Sequence, residues 1–370
     1  MDDLDTALGG DLRTVVELAS LAPSVHNTQP WRFTWDGSAL TVHEDPDRSL
    51  PVLDPTGRER RISCGSAVLM ARLAFAELGY SVGTELHPWS AADPYRLATL
   101  RVTGRAQPSA EDADLAEAIP RRTTDRDPFD ARPLPAELLA ALRSAAEQEG
   151  ASLHVLGEES RSVTVELQVL LSHADDSQRA DPAYLEELAQ WRRDREAEGI
   201  PARALPSVPA ELRGSSWTLR DFAAGEAHAP ATGHEPPTPE HPVVVVLMTD
   251  GDGPDDWLVA GQALGRLLLR AAVDFVAAQP LTQVLEVPVL RARMRHVLGG
   301  VGPSGYAPGE AIALAQGRVV ELAQGRLLAH RHAPHECDQG GIARRLCVVL
   351  DAERVLVHGG ADYKEHASHE

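Results

Sequence analysis

Long uncharged apolar runs, a disulfide-forming set of cysteines and an excess of positive charge are all missing from this chain, and each absence removes a class of protein. No stretch approaches the roughly 20 apolar residues of a membrane span. The opening Met1-Asp2-Asp3-Leu4-Asp5 lacks the basic and apolar regions of a secretory leader. A cytoplasmic protein without a membrane partner is therefore expected. Three cysteines, Cys64, Cys337 and Cys347, are odd in number and lack paired metal spacing, which fits reduced thiols. Lys364 is the only lysine, so arginine supplies nearly all the positive charge, and the net charge is −20. Such a surface repels nucleic acid at long range, and an anionic ligand must be held by a local cluster of donors.

At 370 residues the chain exceeds one average domain and can bury a large core. The apolar spacing of Leu12, Val15, Val16, Ala19 and Ala22 predicts a helix over 11–22, stopped by Pro23. Trp31 to Trp35 alternates as a strand, Asp36-Gly37 signals a hairpin, and Ala39 to Glu44 returns. A helix over 58–79 and strands near 82–86 and 97–102 complete an α+β unit by about residue 105. A second unit follows, with helices over 110–119, 136–149, 160–172 and 184–198 and a strand over 151–156. Val243 to Met248 is a continuous apolar run short enough for a buried central strand, and Trp257 to Ala278 reads as one long apolar helix. Between them, 199–242 is rich in Pro, Gly, Ser and Ala without periodicity, the composition of a lid or an unstructured excursion.

Two runs carry the chemistry. In Pro23-Ser24-Val25-His26-Asn27-Thr28-Gln29-Pro30-Trp31, the carboxamides of Asn27 and Gln29 both donate and accept, as the carbonyl–NH–carbonyl edge of an isoalloxazine requires. Ser24 and the backbone amides near Pro23 and Val25 add donors for ring or ribityl oxygens. Taken alone, the same residues equally serve a turn between helix and strand, and the tryptophan a core. About a hundred residues later, Arg121-Arg122-Thr123-Thr124-Asp125-Arg126 offers two guanidinium groups, Arg122 and Arg126, with the Thr124 hydroxyl between them. That set matches a compact phosphate dianion, although arginines near a helix end also serve as solvated or ion-paired surface.

Taken together, the runs resemble the nitroreductase family. "PSVHNTQPWRF" is similar to its "PSSxNxQPWxF" pattern, and "RTTDRDPF" to its R-x-S/T-x-R/K element. The order of the two within one chain resembles the actinobacterial Acg-like branch, in which two nitroreductase-like halves are fused into an internal pseudo-dimer. The segment from Asp256 to Pro288 also resembles that branch. The resemblance implies an α+β fold of two pseudo-repeated halves, each a mainly antiparallel sheet flanked by helices. It implies boundaries at 1–108 and 109–300 and a Pro-rich lid near 199–242; residues 301–370, outside the resemblance, read as an atypical extension. It further implies one FMN per chain, held by Pro23, Ser24, Val25, Asn27 and Gln29 with Arg122, Thr124 and Arg126, and a monomer with no metal. The implied activity is reduction of a small-molecule nitro or quinone-type electron acceptor by NADH or NADPH at flavin N5, with no catalytic side chain. FMN storage beneath a closed lid is the alternative, and a decayed site with a purely structural role a weaker one.

After Leu298 the chain departs from the family's usual loop. Gly300 to Gly305 formally matches GxGxxG, but it follows a helix and contains Pro303, so no dinucleotide turn is expected. His330, His332, His335 and Cys337 match no compact zinc spacing and read as a polar tail.

Overall fold

The computed structural model describes residues 2–87, 93–126, 133–156, 160–192, 198–201, 220, 222, 242–298, 311–319 and 358–359. Most of 199–242, the Gly300–Gly305 run and the histidines after residue 329 therefore lie outside the described residues.

The chain opens with α1 (Asp2–Ala19), which begins earlier than its apolar stripe suggests; that stripe, Leu12, Val15, Val16 and Ala19, is buried as expected. A loop leads to the hairpin β1 (Trp31–Trp35) and β2 (Ala39–Glu44). Asp36 closes its turn by accepting the Ser38 and Ala39 amides, each at 2.8 Å, and Gly37 takes the left-handed φ of 94° that this tight reversal needs. Then come α2 (Arg58–Glu77), β3 (Tyr80–Leu86) and β4 (Arg96–Arg105). The first sheet has the order β3-β4-β2-β1, antiparallel throughout, and β9 (His358–Gly359) joins β1 in parallel at its edge. Its inner face, with Phe33, Leu40, Val42, Leu97 and Leu100, packs on α1 and on α2.

The chain continues with α3 (Ala110–Ala118), α4 (Ala136–Gln148), β5 (Ser152–Leu156), α5 (Arg161–Arg179), α6 (Pro182–Gln190), β6 (Val243–Met248), α7 (Pro254–Val273), β7 (Val276–Leu281), α8 (Gln283–Glu286), α9 (Pro288–Leu298) and a second sheet's β8 (Ala311–Val319). That sheet is antiparallel in the order β5-β6-β8-β7. The apolar run of β6 is explained by burial on both faces. Val245 and Leu247 pack with α4 and α7, while Val244, Val246 and Met248 pack with α5, α8 and α9.

Three helix readings of the sequence are corrected. The helix expected to run to Ala278 ends at Val273, because Phe275 turns left-handed at φ 56° and Val276–Leu281 pairs with β8 instead. Ala277 and Ala278 favour helix, and the neighbouring strand overrides them. The helix expected over 184–198 starts earlier, at Pro182, where Asp181 caps it by accepting the Ala183 amide at 2.9 Å, and ends at Gln190. The helix expected over 160–172 extends to Arg179. The region beyond residue 300, expected as an extension, supplies β8 between β6 and β7, so the second sheet draws a strand from past the expected boundary.

α2, packed against the first sheet, crosses α7, packed against the second. A Cβ on Gly261 would lie 1.9 Å from the Ile62 carbonyl oxygen, and one on Gly65 would lie 2.4 Å from that of Leu258, so the two backbones touch. Ser66 Oγ donates to the Gly261 carbonyl at 2.7 Å. Beside the crossing, Glu149 accepts from Arg72 at 2.7 Å and from Arg266 at 2.8 Å, tying α2 and α7 to the end of α4. We expect Gly261→Ala to lower stability by about 2–5 kcal/mol, because two backbones must separate. Gly10→Ala in α1, with nothing within 4 Å of the added Cβ, is expected to raise it by about 0.5–1 kcal/mol. Thermal and denaturant unfolding of the two variants checks both signs.

Candidate functional site

The loop from Pro23 to Pro30 is held in an unusual backbone. His26, Asn27 and Gln29 have φ of 51°, 53° and 49°, left-handed values that cost non-glycine residues of the order of 1 kcal/mol or more. Several contacts fix it. Ser24 Oγ accepts the Gln29 amide at 3.0 Å, which leaves its own hydroxyl proton to donate elsewhere. The Val25 amide donates to Ser63 Oγ at 3.3 Å, and Ser63 in turn donates to the Glu59 carbonyl at 2.8 Å, so the first turns of α2 form the floor of the loop. Arg48 donates to the Thr28 carbonyl at 2.9 Å, and Cys64 Sγ to that of Pro30 at 3.1 Å. Asn27 Nδ2 donates to the Gly199 carbonyl at 3.0 Å, and the Gly199 amide returns a bond of 3.0 Å to the Asn27 carbonyl. Part of the Asn27 carboxamide is thus committed to the chain itself. Trp31 is buried among core residues, in agreement with its reading as packing.

The second run reaches the same place. Arg122 Nη2 donates to the Leu21 carbonyl at 3.3 Å, two residues before Pro23, and its Nε is buried without a hydrogen-bond partner. Burial alone pushes the Arg122 guanidinium down to about 10. Thr124 forms a parallel bridge with Ala278 of β7, and the Asp125 amide donates to the Ala278 carbonyl at 3.2 Å, which anchors the run to the second sheet. Burial, followed by the charge of Arg220, pushes Arg126 down to about 10 as well. Arg121 belongs to the surface instead. It pairs with Glu117 at 2.9 Å and lies 5.8 Å from the Phe275 ring centroid.

Between the runs stand two residues of the Pro-rich stretch that motif reading did not single out. The Phe222 ring lies 4.7 Å from the Arg126 guanidinium and 6.0 Å, edge-on, from the His26 ring. Arg220 is buried and donates to His26 Nε2 at 3.2 Å, Tyr184 Oη at 2.9 Å, Thr282 Oγ1 at 3.2 Å and Glu286 Oε1 at 2.5 Å. Burial works against the Arg220 charge, but Glu286 and Tyr184 outweigh it and the guanidinium is held above its usual range. Removing one partner of such a buried pair typically costs about 3–5 kcal/mol. Burial and then the charges of Arg220 and Arg126 hold His26 well below the ordinary imidazole range. No periodicity or motif marks Arg220 or Phe222 in the sequence, and His26 occupies a free position of the motif.

The structure therefore brings the Ser24–Gln29 loop and the Arg122–Arg126 run to one junction.

Comparison with known proteins gives the same direction. No family model matches the chain. A Mycobacterium tuberculosis protein whose name reads "Putative NAD(P)H nitroreductase" is 34% identical over 294 residues, covering 79% of this chain and 81% of its own. The chain belongs to the nitroreductase family. Acg of the same organism, which carries the same description, is 30% identical over 300 residues, covering 80% of this chain and 87% of its own, and places it in the Acg-like branch. A crystal structure of a nitroreductase with bound FMN from Bacteroides fragilis superposes with a TM-score of 0.29 at 15% identity, over 60% of this chain and 94% of that one, too loosely to carry an argument. No helix among the described residues of this nitroreductase-family chain is long and apolar enough to cross a membrane.

The floor of the loop has its own pH dependence. Burial pushes Glu59 up to about 7, with Arg58 opposing and the Asp54 and Glu286 carboxylates adding to the rise. Its ordinary value is 4.5, so between these values the folded chain holds a proton that the unfolded chain releases. This stabilisation is complete below about 4.5 and is lost as pH rises through about 7. Glu59→Gln removes the titration, and its stability relative to the parent should rise by about 1–3 kcal/mol between pH 5 and pH 8. Paired denaturant curves at the two pH values measure the difference.

Proposed function

We propose that this chain is an FMN-dependent NAD(P)H oxidoreductase that reduces small nitro or quinone-type acceptors, with one flavin per chain. The observation that carries this reading is the meeting of two desolvated guanidinium groups, one with an unpartnered buried Nε, with the strained Ser24–Gln29 loop. Both features are unfavourable in an empty fold and fit the phosphate and the ring edge of one ligand.

Bound FMN would supply the hydride transfer, accepting at N5 from a reduced nicotinamide and passing two electrons to the acceptor. Arg122 and Arg126, with the Thr124 hydroxyl, would hold the phosphate; planar guanidinium groups in a dry site make strong paired bonds to phosphate oxygens. The Ser24 proton, the Pro23–Val25 backbone and the Asn27 and Gln29 carboxamides would orient the ring. Asn27, through its bonds to Gly199, also fixes the chain entering the Pro-rich stretch beside the site. No side chain is required as nucleophile or general base. Because both runs come from one chain, a second subunit is not needed to complete the pocket.

A second reading, storage of FMN with little turnover, is favoured by one observation. Arg220 and Phe222 are both buried against the loop and Arg126, where an incoming nicotinamide needs room. The two readings separate in a single experiment on purified protein with quantified flavin. Under anaerobic NADPH and then NADH, bleaching of about one flavin per chain supports turnover, and flavin that stays oxidised supports storage. Arg122→Ala with Arg126→Ala is expected to weaken FMN binding by about a hundredfold or more while leaving the melting temperature of the apoprotein unchanged or higher. Unaltered flavin retention in that variant removes the phosphate assignment.

A further inference from the structure

His26 of the first motif is buried, and its two ring nitrogens are unequally served. Nε2 lies 3.2 Å from Arg220 Nη1. A guanidinium only donates, so Nε2 accepts and the proton of the neutral ring sits on Nδ1. Nδ1 is buried and has no hydrogen-bond partner. The ring is 6% exposed and braced edge-on by Phe222, so it cannot turn this donor to water. The left-handed backbone at φ 51° adds strain at the same residue. A fixed, desolvated and unpaired donor in a strained loop is unfavourable unless something accepts from it.

We propose that His26 Nδ1–H is a ligand-positioning donor to an acceptor atom of the flavin, with Arg220 setting its tautomer through Nε2. The inference rests on the flavin reading above and adds to it a residue at a free position of the motif. Arg220 thereby acts on the ligand indirectly, through His26, while Glu286, Thr282 and Tyr184 hold its guanidinium in place.

Two substitutions divide the ring's functions. Asn carries an N–H where the Nδ1–H stands and tolerates a left-handed φ. Gln reaches the Nε2 position, keeps an acceptor for Arg220 and offers no donor at Nδ1. The test is titration of apoprotein with FMN, followed by quenching of flavin fluorescence, together with the melting temperature of each apoprotein. His26→Asn should bind FMN within about twofold of the parent, and His26→Gln about tenfold more weakly, with the two apoproteins melting alike. His26→Leu, lacking both groups, should bind as weakly as the Gln variant. If the Gln variant binds as tightly as the parent, or if affinity falls only in step with melting temperature, the donor assignment is wrong while the flavin reading stands. If the parent apoprotein itself takes up no FMN, the flavin reading fails and the assignment with it.

Discussion

The backbone contact between α2 and α7 is the constraint on which the rest of the structure depends. Gly65 and Gly261 allow the two helices to touch at the level of main-chain atoms, and no side chain fits there. Each half of the candidate site hangs from an end of this pair. The first turns of α2 supply Glu59 and Ser63 beneath the Ser24–Gln29 loop. The end of α7 feeds β7, whose Ala278 anchors Thr124 and Asp125, and then α8, whose Glu286 holds Arg220. A change in the separation of the helices therefore shifts the loop relative to the arginines. Glu149, bonded to both Arg72 and Arg266, fixes the same separation at a second point.

Electrostatics at the junction runs opposite to the charge of the whole chain. The sequence carries a net charge of −20, yet Arg126 and Arg220 both lie against the Phe222 ring, and Arg122 reaches the Leu21 carbonyl at the start of the same loop. They are not equivalent. Glu286 neutralises Arg220, which is held in its charged form, and Arg220 then belongs to the framework. Burial instead weakens the charged forms of Arg122 and Arg126. A local cluster of this kind is what an acidic protein needs to hold an anion against its long-range field.

Sequence pattern was most informative where local rules and tertiary contacts agree. The hairpin at Asp36-Gly37, the buried run of β6 and the glycine stops of α2 and α4 at Gly79 and Gly150 follow from turn chemistry and periodicity. The end of α7 did not, because Ala277 and Ala278 are indifferent to strand until β8 pairs with them, and β8 lies more than thirty residues further on. The candidate site divides in the same way. Its two motif runs were visible because residue types and spacing matched a family pattern. Arg220 and Phe222 were not, since a single arginine and a single phenylalanine in a Pro-rich stretch carry no period, and their burial is decided by His26, Tyr184 and Glu286 from three other parts of the chain.

A turn remained a fair reading of the Ser24–Gln29 run from sequence, and its backbone now weighs against that reading. A loop needed only for reversal selects glycine at left-handed positions, because glycine adopts them without strain. This chain does so at Gly37, Gly57, Gly79 and Gly150. At His26, Asn27 and Gln29 it retains side chains at φ between 49° and 53°. Two of those side chains have visible tasks: Asn27 binds the Gly199 carbonyl and His26 meets Arg220. Asn27 and His26 thus keep side chains with contacts of their own at positions where glycine would relieve the strain.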